Sequence, residues 1–225
     1  YSGGGNIIIR GKAANGAPGI SWFGSTSGTQ NVNAGSGTIT IDGQGIGTGH
    51  GIEFNYYGDA VYPTITSSSS ATTAIYITGT TTATSGAYAG YQGTVIVTET
   101  GSGGIAINGT NTSGNTNGSI NATGMSLYAA SGAITITGSG NAAINVGGTW
   151  GQGTLASSSS NITVTSSVIN LYGTTISTSG NIKFDGALTI YNDQTIATAA
   201  GIVTFTGTIN SDALAIPRSL TVNAG

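Results

Sequence analysis

The stretch NVNAGSGTITIDG, residues 31–43, returns as SLYAASGAITITG at residues 126–138, and its opening returns again as LTVNAG at residues 220–225. Val32, Leu127 and Val222 hold the same place in the phrase and stand 95 residues apart, twice over. Restatement at a fixed long interval marks a stacked array, in which each unit buries its apolar face against the next. The interval therefore predicts one solenoid segment over 1–225, with repeat units near 36–130 and 131–225 and a partial unit over 1–35. The third phrase breaks off at Gly225, so the segment is expected to belong to a longer chain or filament.

Shorter words sit inside the phrase. GNIIIRG (5–11), GTITIDG (37–43), AIYITG (74–79), GIAING (104–109), NITVT (161–165) and NIKFDG (181–186) alternate apolar and polar residues between Gly, Asn or Ser. Period-2 alternation bounded by turn-forming residues reads as short, half-buried strands, and no apolar stripe of helical period competes with it. In NIKFD the alternation points Ile182 and Phe184 inward and Lys183 and Asp185 outward. Spacings of 20 from Ile75 to Val95, 20 from Ile162 to Ile182 and 21 from Ile182 to Val203 predict a parallel β-helix with about 20 residues per coil. Leu171, Ile190 and Ile209, each 19 apart, predict a second column. About eleven coils at strand spacing would make a rod of roughly 50 Å. The four-serine runs Ser67–Ser70 and Ser157–Ser160 are expected at equivalent corners.

Composition narrows the function. Only 5% of the 225 residues are charged, 40 are glycine, and none is cysteine. Disorder from charge is therefore not the expectation, and thiolate metal sites and disulfides are excluded. Four basic residues, Arg10, Lys12, Lys183 and Arg218, form no stripe to neutralise phosphates, so no nucleic-acid partner is expected. No apolar run approaches the ~20 residues that span a bilayer as a helix, so no membrane insertion is expected.

The phrases GNIKFDG, GIVTFTGTINSDALAIPRSLTVNAG and NAGSGTITIDG resemble the repeat regions of bacterial filamentous-haemagglutinin-like exoproteins, most clearly over residues 180–225 and 30–43. The resemblance implies a right-handed β-helical shaft held outside the cell, working in adhesion, aggregation or biofilm structure. It brings no catalytic residues with it.

The carboxylates are Asp42, Glu53, Asp59, Glu99, Asp185, Asp193 and Asp212, and His50 is the single histidine. A β-helical polysaccharide lyase or hydrolase needs two or three carboxylates converging on one groove, and their spacing here predicts none. Asp193 and Asp212, 19 apart, would stack one coil over the other, and a Ca²⁺ between them is weighed against two isolated loop aspartates, the simpler reading. No metal site and no cofactor is expected. The interval from Ser36 to Ser67 is longer by five than the matching one from Ser131 to Ser157, so GHGIEFNYYGDAVYP (49–63) reads as an insertion. Its Tyr56, Tyr57, Asp59 and Tyr62 are the candidate glycan-contacting or shaft-to-shaft residues, rings beside acceptors suiting sugar surfaces. The alternative is that these tyrosines only cover a wider turn. Asn108, Asn111, Asn117, Asn121 and Asn161 head acceptor sequons, open to glycosylation in an exported protein.

The expectation for function is a structural shaft segment of an extracellular bacterial adhesin or surface filament, not an enzyme. Its partners would be further repeats or copies of itself at both ends, and surface glycans. Ice adsorption through stacked Thr-x-Thr words is the first alternative. TIT at 38–40, 64–66 and 135–137, TVT at 163–165 and TFT at 204–206 do not recur at one constant coil: their successive offsets are 26, 71, 28 and 41. A polysaccharide-degrading enzyme is the remaining alternative.

Overall fold

The computed structural model describes residues 1–22, 30–54, 62–83, 89–112, 118–122, 124–140, 143–147, 153–213 and 215–225. Among them every regular element is a strand, and every strand pairing is parallel. Parallel neighbours cannot be joined by hairpins. Here each strand instead pairs with the one a full coil further along, which makes the chain a β-solenoid.

Coils 1 to 5 hold three strands each. They are β1 (Ile7–Ala13), β2 (Ile20–Trp22), β3 (Asn31–Asn33); β4 (Ile39–Gly45), β5 (Ile52–Phe54), β6 (Thr64–Ser67); and β7 (Thr73–Thr81), β8 (Tyr91–Gly93), β9 (Ile96–Glu99). Then come β10 (Gly104–Asn111), β11 (Ile120–Ala122), β12 (Ser126–Ala129); and β13 (Ile134–Gly140), β14 (Ile144–Val146), β15 (Thr154–Ser157). Coils 6 and 7 run their first two strands together, as β16 (Ile162–Leu171) with β17 (Thr175–Thr178) and β18 (Ile182–Ile190) with β19 (Gln194–Thr198). Coil 8 is β20 (Val203–Phe205), β21 (Ile209–Ser211) and β22 (Leu220–Ala224). The first and second strands of the coils form a first and a second face, joined through β16 and β18 into one 14-stranded sheet, and the third strands form a separate 8-stranded face.

Eight rungs stand where eleven were expected, because the coils are not of one length. Ile7, Ile39, Ile75, Ile105, Ile134, Ile162, Ile182 and Val203 climb the first face in register. Their numbers advance by 32, 36, 30, 29, 28, 20 and 21 in turn. The pace of 20 belongs only to the last rungs, where the chain runs straight through the first corner. Ile75 and Val95 are not successive rungs: Ile75 lies on the first face, and Val95 immediately precedes β9 on the third. Leu171 pairs with Ile190, but Ile209 sits over Leu188. Seven intervals at strand spacing give a stack of roughly 34 Å.

The long phrase does return to one column. Val32, Ile65, Val97, Leu127, Leu155, Ile176, Ile196 and Val222 are register partners on the third face. The first interval crosses three coils and the second crosses four, so equal sequence distance does not mean equal rise.

Inward columns of Ile, Val, Leu and Phe fill the centre, nearly all fully buried, each side chain contributing about 1.5–3 kcal/mol. Trp22 tilts against its register partner Phe54 at 6.0 Å, Tyr91 of the next strand tilts against Phe54 at 5.7 Å, and Phe184 stacks on Phe205 at 5.4 Å. The long coils need one further device. Gly11, Gly43, Gly79, Gly109 and Gly138 align at the end of the first face. A Cβ at Gly79 would lie 2.0 Å from the Gly90 carbonyl oxygen, and one at Gly109 would lie 2.2 Å from that of Ser119. Only glycine lets the returning second strand close against the first.

Candidate functional site

On four of its eight strands the third face ends in a buried clasp. Ser67, Ser157 and Thr198 donate a hydroxyl hydrogen to the carbonyls of Gly37 (2.8 Å), Gly132 (3.0 Å) and Gly180 (2.6 Å), and Thr178 does so to Ser160. Each of these oxygens also accepts a backbone N–H two or three residues on: Ser69, Ser160, Gly201 and Gly180. The end of a coil is thereby tied to its beginning, and Ser67 and Ser157 are indeed equivalent, three rungs apart in one column. Two interior coils depart from the pattern. Ala129 has no hydroxyl, and Glu99 accepts the Gly101 N–H (2.8 Å) through Oε1 while Oε2 has no partner. Glu99 is 1% exposed, and burial raises its pKa above the ordinary carboxylate value.

Outward, the faces differ in charge. The first face carries Arg10 against Asp42 (4.0 Å) and Lys183 against Asp185 (2.9 Å). The third face presents two outward positions on each of its eight strands and no charged residue at any of them. Its ladder is free of register shifts, whereas the 14-stranded sheet shifts between Gly104 and Ile105 and between Thr165 and Val168. Thr154, Thr175, Thr195 and Thr221 stack on four consecutive rungs, with Ala156, Ser177, Ala197 and Asn223 beside them. The sequence reading missed this column because the words are T-L-A, T-I-S, T-I-A and T-V-N, and only the true coil lengths align them. The same lengths revise the Thr-x-Thr offsets. One of those offsets is a true coil, and Thr135 and Thr137 pair with Thr163 and Thr165 on the first face. Lys183 and Asp185 interrupt that column on the next rung.

Along the corner beyond the third face runs a groove of about 540 Å³, lined by Thr98, Glu99, Tyr128, Ala156, Ser177 and neighbouring small residues. A second hollow of about 410 Å³ shares Ser177, Thr178 and Ala199 and carries the groove on to Gly225. Tyr128 is 40% exposed.

The expected insertion is not a single loop. Ile39, Ile52 and Ile65 mark the three faces of coil 2, as Ile134, Ile144 and Leu155 mark those of coil 5. From the first face to the second, coil 2 is longer by three, and from the second to the third it is longer by two. The extra chain is therefore divided between two corners. Tyr56, Tyr57 and Asp59 lie outside the described residues; Tyr62 is exposed. Two polar residues of the same stretch are buried. His50 Nδ1 accepts the Ala89 N–H (3.0 Å) and burial drives its pKa down to about 4, while burial pushes the Glu53 carboxyl up.

Of the sequons, Asn161 is exposed at a corner and Asn108 is half-buried on the first face, donating to the Tyr76 hydroxyl (3.0 Å). Asn111 is fully buried and donates to the Gly118 carbonyl (3.1 Å), which leaves no room for a glycan. Asn121 is half-buried in a column between Gln92 and Asn145, and Asn117 lies outside the described residues. Asp193 and Asp212 are each bonded by the segment at Arg218 and Ser219. Arg218 Nε donates to Asp212 at 2.9 Å, and the Ser219 N–H donates to Asp193 at 2.9 Å. Both carboxyls are held below their ordinary value, Asp193 chiefly by that N–H and Asp212 by the guanidinium. Among the described residues no three His, Asp or Glu side chains are grouped to hold a metal, and no helix is long and apolar enough to cross a membrane.

No protein-family model matches the chain, and no curated protein or solved structure matches it significantly.

Proposed function

We propose that this chain is a structural shaft segment of an extracellular bacterial adhesin or surface filament, serving adhesion, aggregation or biofilm structure rather than catalysis. The observation that carries the reading is the stack itself: eight rungs with their core columns continuous from end to end. Such a stack supplies length and stiffness from repetition alone. The dispersal of the carboxylates supports a non-catalytic role. Asp42, Asp185 and Asp212 each face a basic partner, and Asp193 is taken up by a backbone N–H.

The winding is right-handed in this reading, as parallel crossovers nearly always are. The long phrase is then a unit of sequence duplication that returns the chain to its third face. In the same reading, further repeats of the chain or a second copy pair with the open strand edges of the stack. Negative-stain imaging of native material tests the proposal: rods or cell-surface fibres are expected, and discrete globular particles would overturn it.

A further inference from the structure

The groove along the corner of the third face is not required by a shaft. We infer that it is a binding site for a neutral polysaccharide chain, in which Glu99 accepts a hydrogen bond from a sugar hydroxyl. The inference deepens the adhesive reading by naming what the shaft would hold, and it rests on that reading for its biological setting only.

Three observations lead to this ligand class. The groove runs along the solenoid axis from Thr98 to Gly225, roughly 24 Å over five rung intervals, the shape of an extended polymer. Its lining is hydroxyl and methyl, with the exposed ring of Tyr128 in the wall, and Glu99 is the one charged residue. That surface offers nothing to a polyanion and suits the alternating C–H and O–H faces of a sugar. A peptide adding itself as a strand would need free backbone groups. Here the corner N–H groups of Thr100, Ala130, Ser158, Ala199 and Gly225 are already taken by the carbonyls of Ser67, Glu99, Ala129, Thr178 and Thr198, at 2.8–3.1 Å.

The third observation is Glu99 itself. At this place in the column four other coils put a serine or threonine that satisfies itself twice within the fold. Glu99 makes one of those two bonds, and its second carboxylate oxygen is left buried with no partner. The next rung carries Ala129, where no hydroxyl stands in the way, and Ala130 follows it at the corner. An acceptor held under the groove, at a place where the fold would be better served by threonine, fits a residue kept for a donor that comes from outside. Sites that bind are commonly paid for in stability.

The substitution Glu99→Thr separates this role from a structural one. It restores the clasp and removes the acceptor, so the melting temperature should rise by about 3 °C while polysaccharide binding falls about tenfold or more. Affinity electrophoresis of the 225-residue chain in gels containing dextran, galactomannan or β-glucan, with heparin and alginate as polyanionic probes, reads the binding. Retardation by at least one neutral polymer and by neither polyanion is expected. Ser177→Asp should abolish it, and Thr163→Asp on the first face should leave it intact. The inference is overturned if no neutral polymer retards the chain, if the polyanions do so instead, if Glu99→Thr binds undiminished, or if it loses stability and binding together. Thermal hysteresis without retardation would also overturn it, in favour of ice. Rods that bind no polysaccharide would sink the groove and leave the shaft; retained particles that never form rods would do the reverse.

Discussion

Coils 1 to 5 and coils 6 to 8 solve the same packing problem with different amounts of chain. The early coils take more sequence per rung, as from Ile39 to Ile75, close their first corner through an inward glycine and then leave the strand path before the second strand. The late coils take less, as from Ile162 to Ile182, and run the first corner as a bulge near Thr165 and Val168. Yet the inward columns pass from one region to the other without a break. Stacking constrains which residues lie over one another, because each rung's backbone bonds must meet the next. It leaves the length of the corners free, since a longer surface loop costs little more to close.

The largest effect should come from the glycine column. Gly79→Val forces a Cβ into the Gly90 carbonyl and is expected to cost more than about 4 kcal/mol or prevent folding. Ala187→Val, at the corner of a short coil where its neighbour is already Val168, should cost less than about 1 kcal/mol. Urea unfolding of the two variants checks the contrast. Equal costs would mean the corners do not differ.

Acid should act on the two regions at different pH. His50, at a corner of coil 2, is held near 4 against an ordinary 6.5 by burial. The unfolded chain therefore binds the proton more readily, and stability falls as pH drops from about 6.5 to about 4, by up to about 3 kcal/mol. Asp185 and Asp212 in the late coils are depressed, Asp185 chiefly by Lys183 and Asp212 by Arg218. Their contribution is present above the ordinary carboxylate value and is lost only as pH falls through their lowered ones. Hydrogen exchange resolved by segment should show coils 2 and 3 loosening first on acidification. His50→Gln should remove that early phase.

The smallest effects concern single hydroxyls. Ser157→Ala breaks a clasp on both sides and should cost about 1 kcal/mol, as should Thr178→Ala one rung later. Tyr91→Phe deletes a buried hydroxyl that has no partner and should stabilise by about 1 kcal/mol. Thermal melts of the three variants give the signs directly.

What could be read from the sequence follows the same division. Ile162, Ile182 and Val203 lie in one column, and Ile182 and Phe184 point inward, as their alternation required. That reading worked where strand words follow one another with no excursion between them. Carried back into the early coils, the short pace failed, because three strand words occur per coil and any two look alike. Ile75 and Val95 look like successive rungs in the sequence for that reason. The threonine column of the third face was hidden by the same ambiguity, and so was the departure at Glu99. A buried carboxylate at a clasp position can be recognised only after Ser67, Ser157, Thr178 and Thr198 have been aligned by their true rungs. The tyrosine-rich stretch stands out in the sequence by its extra length and its composition, yet of its polar members His50 and Glu53 lie buried.

The central claim is that rungs stay in register while coil length changes. Paired cysteines at outward register positions test it, since neighbouring strands bring their Cα atoms into disulfide range. Thr135→Cys with Thr163→Cys spans a long coil, and Thr163→Cys with Lys183→Cys spans a short one. Both pairs should cross-link under mild oxidation without loss of melting temperature. Closure of the second pair but not the first would contradict the account.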